Sequence, residues 1–147
     1  VTSSVDPTVE IAAIIAKLET LAAPVFEGIE QGTVLPTDGF GKAPYRDVQP
    51  GSVIPAAKGR QLGVGEQSQP HIWAFQVSHF ARTRKLSSAL AIETDKTLIG
   101  WSPSSNAGTI TTFYFTVYDE FSKNGERVAT ITTRFYEVEL GLNPDLS

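Results

Sequence analysis

Residues 109–140 read TITTFYFTVYDEFSKNGERVATITTRFYEVEL. Phe113, Phe115 and Val117 alternate there with Thr112, Tyr114, Thr116 and Tyr118, the period of two that a strand imposes on its two faces. A second run of β-branched and aromatic residues follows over 127–140. Between the runs lies Ser122-Lys123-Asn124-Gly125-Glu126. Asn-Gly supplies the positive φ angles of a tight hairpin turn. The stretch therefore predicts a long C-terminal β-hairpin. In its second strand the apolar parity changes between Ile131 and Phe135 and then Val138 and Leu140, which predicts a β-bulge over 134–136. The polar residues 141–147 are expected to form a flexible tail.

Upstream, residues 71–81 place Trp73, Phe75, Val77 and His79 on one face of a strand, with Ile72, Ala74, Gln76, Ser78 and Phe80 on the other. Thr83 is placed to cap a helix over 84–99, with Leu86, Ala89, Leu90 and Leu98 as its apolar stripe and Ile92 off it. Gly100 suits the left-handed position after a helix, and residues 102–108 read as a turn-rich loop. Residues 33–69 carry Pro36, Pro44, Pro50 and Pro55 and six glycines without sustained periodicity. Only residues 44–48 look like a piece of strand. The rest is expected to be a long irregular loop, or an arm that orders against a neighbouring subunit. Residues 25–29 read as a short strand. At the start, Asp6-Pro7 opens a helix whose apolar positions are Ile11, Ile14, Ile15, Leu18, Leu21 and Ala22, ending before Pro24. Glu10, Lys17 and Glu19 fall outside that stripe. The order predicts one α+β domain over 1–147, an antiparallel or mixed sheet with two helices packed on it.

Composition agrees. The chain has 147 residues, 41 % hydrophobic and 19 % charged, enough apolar content for one core and too little charge for disorder. A net charge of −4 disfavours nucleic-acid binding over the whole surface, which needs a dense cationic face. The absence of cysteine excludes disulfides, thiolate metal sites and cysteine nucleophiles. No apolar run is long enough for a membrane helix, and VTSSVDPTVE lacks the basic and apolar regions of a secretory signal.

No catalytic constellation assembles. His71 and His79 share a strand face without a third metal ligand. No Gly-x-Ser-x-Gly elbow is present. Gly63-Val64-Gly65-Glu66 follows no predicted strand and carries no P-loop lysine. The carboxylate pairs Asp119-Glu120 and Glu137/Glu139 read as solvated faces or as charge that discourages edge pairing. Neither an enzyme nor a cofactor or metal site is expected. Arg82, Arg84 and Lys85 form a basic cluster at a helix start, where the dipole disfavours cations. A carboxylate or phosphate partner would account for them, as would plain solvation. Lys58 and Arg60 form a looser basic site.

Several short pieces resemble the tail terminators of long-tailed (siphovirus-type) bacteriophages and related minor tail proteins. They are Val25-Phe26-Glu27-Gly28, then Pro36, then Pro44-Tyr45; the strand around Phe75-Gln76-Val77 feeding a helix; and Leu98-Ile99-Gly100-Trp101 before the closing strands. The likeness covers most of the chain by element order. The chain departs from it in the length of 33–69 and of the final hairpin. The resemblance implies a homo-oligomeric ring, commonly of six subunits, at the head-proximal end of the tail, assembled in the host cytoplasm. Such a ring stops growth of the tail tube and joins it to the head-tail connector or stopper protein. DNA passes through the lumen without sequence-specific binding, and no membrane is involved. Pro44, Tyr45, Arg46, Lys58, Arg60, Arg82, Arg84, Lys85, Lys123 and Asn124 are the candidate contacts with a neighbouring subunit or the tube. Two other readings stand beside this one. One is a tail tube or connector stopper subunit, of which a tube subunit would be mostly β-sandwich. A small-molecule binder would need a deep pocket at His71, Trp73 and His79.

Overall fold

The computed structural model describes residues 6–29, 37–38, 41–42, 44–55 and 71–141. The elements run α1 (Thr8–Leu18), β1 (Val25–Glu27), β2 (Thr37–Asp38), β3 (Gly41–Lys42), β4 (Tyr45–Pro55), β5 (His71–Ala81), α2 (Arg84–Leu98), β6 (Thr111–Phe121) and β7 (Arg127–Leu140). Five strands form one mixed sheet in the order β1-β4-β5-β7-β6, and β2 and β3 form a separate two-stranded pair. β1 is parallel to β4, and the other pairings in the large sheet are antiparallel. The α+β class, the two helices and the long C-terminal hairpin follow the sequence expectation.

β5 is the central strand, paired along its length with both β4 and β7. Its residues Trp73, Phe75, Val77 and His79 are buried on one face. Aligned with them on β7 are Val138, Tyr136, Arg134 and Thr132. Trp73 stacks on Phe75 at 4.6 Å, and Phe75 on Tyr136 at 5.3 Å. Ile14 and Leu18 of α1 and Leu98 of α2 close over this layer. Each such fully buried side chain contributes about 1.5–3 kcal/mol. A smaller cluster, Tyr45, Phe80 and Ala129, joins Phe26, Ile29 and Ile131. Tyr45 and Phe80 pair across the strands and stack at 4.9 Å.

Local chemistry sets the helix ends. The Asp6 carboxylate accepts from the Thr8 amide at 3.0 Å, and the Ile11 amide donates to the Pro7 carbonyl. Thr83 accepts from the Leu86 amide at 3.2 Å, satisfying one orphan donor of α2. Gly100 takes φ 84° after α2 and donates to the Ile110 carbonyl.

Four sequence expectations need correction. The irregular stretch 33–69 contains a full strand, because β4 continues from Tyr45 to Pro55 rather than stopping at 48. It passes Pro50 and Gly51 through a register shift between Pro50 and Val53. Gly51 lies so close to β5 that a Cβ there would meet the Ala74 carbonyl oxygen at 2.1 Å. Pro50 lies beyond the last residue that β1 pairs with, so its missing N–H costs no ladder bond on that side.

Second, no bulge falls at 134–136 of β7. The shift at that level is on β6, where Phe113 is the extra residue between Thr112 and Tyr114, and a second shift lies at Glu120/Phe121. The parity change in β7 arises because its helix-facing side turns from Val138 and Tyr136 to Arg134, Thr132 and Thr130 under the polar face of α2.

Third, that face of α2 is Ser87, Ala91, Thr94 and Leu98; of the expected stripe Leu86 and Ala89 are exposed and Leu90 is half-buried, while Ile92 is exposed as expected. Fourth, Glu10, expected outside the stripe of α1, is buried and accepts from the Ser104 hydroxyl at 2.6 Å.

Candidate interaction surface

Two groups of polar side chains and one apolar surface stand out, and their exposure separates structural roles from binding roles. The first lies beneath α2. Arg46 is fully buried. Its Nε donates to Thr94 Oγ1 at 2.8 Å, and its second guanidinium nitrogen donates to Glu93 at 2.6 Å and to the Leu90 carbonyl at 3.3 Å. His79 is also fully buried. Its Nδ1 lies 2.8 Å from the Thr132 carbonyl, which can only accept, so Nδ1 carries the proton. Nε2 then accepts from the Thr94 hydroxyl at 2.7 Å. The Ser87 hydroxyl donates to the His79 carbonyl at 2.7 Å and accepts from the Thr132 hydroxyl at 2.8 Å. Burial lowers the His79 pKa to about 3, with Arg46 and Arg134 opposing a positive ring further and the Thr132 bond partly offsetting them. On the neighbouring strand Tyr136 donates to Asp95 at 2.6 Å, and Arg134 Nε lies 3.2 Å from the same carboxylate. Burial, then the Asp95 bond, raises the Tyr136 phenol far above its ordinary range.

The small-molecule reading needs a pocket lined by His71, Trp73 and His79. Trp73 and His79 have no solvent exposure, so their face is core and gives a ligand no access. Tyr45 and Arg46, expected at an interface, belong to this interior as well. Pro44 is half-buried beside them.

The second group ties the start of α2 to the hairpin. Arg84 binds the Asp119 carboxylate through both Nε and a terminal nitrogen, the shortest contact being 2.7 Å. Thr130 donates to the same carboxylate at 2.8 Å, and Arg127 lies 3.3 Å away. The Arg84 and Thr130 bonds hold the Asp119 pKa down to about 2. The carboxylate partner that the basic cluster called for is therefore the chain's own Asp119. Lys85 is exposed beside Arg84, and Arg82 is half-buried. Lys123 and Asn124 sit at the exposed tip of the hairpin, where Gly125 takes φ 82° and the Ser122 amide donates to the Glu126 carbonyl. Lys58 and Arg60 lie outside the described residues.

The third group was not singled out from the sequence. Every residue from 111 to 118 is exposed. Phe113, Tyr114, Phe115, Tyr118 and Phe121 are each 54–62 % exposed. Among the described residues β6 has a strand neighbour on one side only, at the end of the sheet. Register with β7 puts Phe115 and Val117 on the helix side and Tyr114, Thr116 and Tyr118 on the other. On the helix side, α2 packs on β5 and β7 and α1 on β1 and α2, which leaves an open groove of about 360 Å³ beside α2. Phe115 and Val117 form its floor, with Arg84, Lys85, Ser88 and Arg134 around them. The Arg134 guanidinium lies 4.9 Å over the Phe115 ring.

Among the described residues no cluster of acidic or histidine side chains could hold a metal, and no helix is long and apolar enough to cross a membrane. Compared with known proteins, the sequence matches no family model and no curated protein.

Proposed function

We propose that the protein is a structural subunit that associates with copies of itself, and that it serves as the tail terminator of a long-tailed bacteriophage. In this reading it forms a ring on the head-proximal end of the tail tube, ends tube growth and receives the head-tail connector. One observation carries the self-association: β6, eleven residues long at the sheet edge, exposes five aromatic side chains. Monomeric proteins blunt such edges with short strands, lysine, proline or bulges. Residues 111–118 of β6 have neither charge nor proline, and the sole bulge there displays another aromatic, Phe113. A contiguous apolar surface of this kind is the mark of an interface. The element order and the short sequence pieces that resemble tail terminators support this reading of the assembly. A mostly β-sandwich tube subunit fits less well with two substantial helices.

The test is reconstitution. Purified protein is mixed with tail tubes of the same phage lacking their terminator, and the product is viewed by negative-stain microscopy. Rings capping one end of tubes of uniform length are the expected outcome. Tubes that keep growing and remain uncapped at saturating protein would reject the terminator assignment.

A further inference from the structure

The two edges of the sheet are unequal, and only one offers a template of any length. β1 has three residues and ends at the exposed Glu27. β6 has eleven, and among the described residues no strand lies on its outer side. A second copy that added its β1 to β6 would leave eight of those eleven residues without a neighbour. A second copy that added its own β6 matches the strand along its whole length.

We infer that β6 pairs antiparallel with β6 of a second copy of this chain, about a two-fold axis at Thr116, so that the two sheets become one. Thr116 is the midpoint of Thr111–Phe121. It is also the midpoint of Tyr114–Tyr118, the uncharged run between the register shift at Thr112/Tyr114 and Asp119. Facing residues of an antiparallel pair share a face of the sheet. Tyr114 of one copy then lies opposite Tyr118 of the other, on the side away from the helices, and Phe115 lies opposite Val117 on the helix side. Thr116 meets its own counterpart. Aromatic with aromatic, aromatic with β-branched and Thr with Thr are the cross-strand pairs that stabilise a sheet. Charge agrees with this register. The Asp119 carboxylates of the two copies fall at opposite ends of the contact, about 20 Å apart at ~3.3 Å per residue, which is beyond a Debye length. The Glu120 carboxylates lie further apart still.

The axis stands perpendicular to the sheet, so both helix layers lie on the same side. They do not collide, because α2 packs on β5 and β7 and leaves β6 exposed in each copy. A paired strand about 36 Å long and roughly 10 Å deep through both faces covers on the order of 400 Å² per partner, about half of a standard interface. On the order of ten main-chain hydrogen bonds accompany it. Backbone pairing more than area holds such a contact, and the dimer is reversible. Both copies spend their β6 edge on it, so growth stops at two. This inference goes beyond the ring reading and does not rest on it. A ring with a lumen and two unlike faces has no two-fold axis between neighbours, so under that reading the dimer is the free form and opens on assembly.

The absence of cysteine from the chain permits a direct test. Thr116→Cys, Tyr114→Cys, Tyr118→Cys and, as a control on α1, Val9→Cys all fall on exposed positions. Each full-length variant is oxidised at high protein concentration and run on a non-reducing gel. Thr116→Cys should give at least about tenfold more dimer than Val9→Cys, because facing Cβ atoms in an antiparallel pair lie close to disulfide reach. Tyr114→Cys mixed with Tyr118→Cys should give more dimer than either alone, since each position faces the other and not itself. Sedimentation velocity of the unsubstituted chain should show monomer and dimer only. A Thr116→Cys chain that dimerises no better than the Val9→Cys control overturns the inference, as does a mixture no better than its components, or larger oligomers in place of the dimer. Tubes left uncapped by protein that forms this disulfide would reject the terminator role and leave the dimer standing. Capped tubes from protein that never forms it would do the reverse.

Discussion

His79 is kept neutral by its position. It is fully buried under α2, donates to Thr132 and accepts from Thr94, and Arg46 and Arg134 disfavour a second positive charge. Its native pKa of about 3 lies below the ordinary 6.5, so between those values the unfolded chain binds a proton that the native chain refuses. Stability is therefore complete above pH 6.5 and falls as the pH drops through that window, by at most about 1.4 kcal/mol per unit. Asp119, with its pKa lowered to about 2, adds to the loss only once the pH falls below the ordinary carboxylate range. Urea midpoints measured between pH 7.5 and 5 should decline for the native protein. His79→Gln should be less stable at pH 7.5 and much flatter across the window; an equal slope in both would show that another group titrates. Arg46 makes a companion case. Arg46→Ala leaves a cavity and strips Thr94 and the Leu90 carbonyl of a donor, at an expected cost of about 2–5 kcal/mol. Arg46→Met retains most of the volume and should cost less in the same denaturation series.

Elements were legible where one force shaped them. The hairpin announced itself because alternation and Asn-Gly both point to it, and α1 because its buried stripe of Ile14 and Leu18 is apolar. α2 hid its inward face because the residues there, Ser87, Ala91 and Thr94, serve hydrogen bonds to Arg46, His79 and Thr132. Apolar periodicity cannot detect a buried face made of small hydroxylated residues. The exchange of roles is testable. Leu86→Ser, on an exposed position, should change stability by no more than about 0.5 kcal/mol. Ser87→Leu, which overpacks the layer and removes a donor, should cost on the order of 2–4 kcal/mol in urea unfolding. β4 was hidden for a different reason. Pro50 and Gly51 read as breakers, yet both are compatible with a bulged strand past the end of β1. Gly51→Ala would drive a methyl group into the Ala74 carbonyl. It should lower the thermal midpoint through a loss of about 1–3 kcal/mol, while Gly125→Ala at the hairpin tip meets no atom within 4 Å and costs only its positive φ.

Across the whole molecule the decisive asymmetry is between the two edges of the sheet. β1 closes one edge with three residues, and β6 opens the other with eleven. Composition alone could not reveal this, because the aromatic and β-branched residues that make β6 recognisable as a strand would suit a buried one equally well. Among the described residues its exposure follows from strand order and from helices that pack on β1, β5 and β7 instead. Such a strand either has a partner or aggregates. Charge added to it should separate folding from association. Tyr114 and Tyr118 lie on the side of β6 away from the helices and are more than half exposed. The double substitution Tyr114→Lys with Tyr118→Lys removes little buried area within one chain, so the thermal midpoint of dilute protein should stay within about 0.5 kcal/mol of the original stability. In sedimentation velocity over a concentration series, the same variant should associate at least about tenfold more weakly, a change of roughly 1.4 kcal/mol. Undiminished association of the lysine variant would place the contact on some other surface and leave the aromatic edge without a role in assembly.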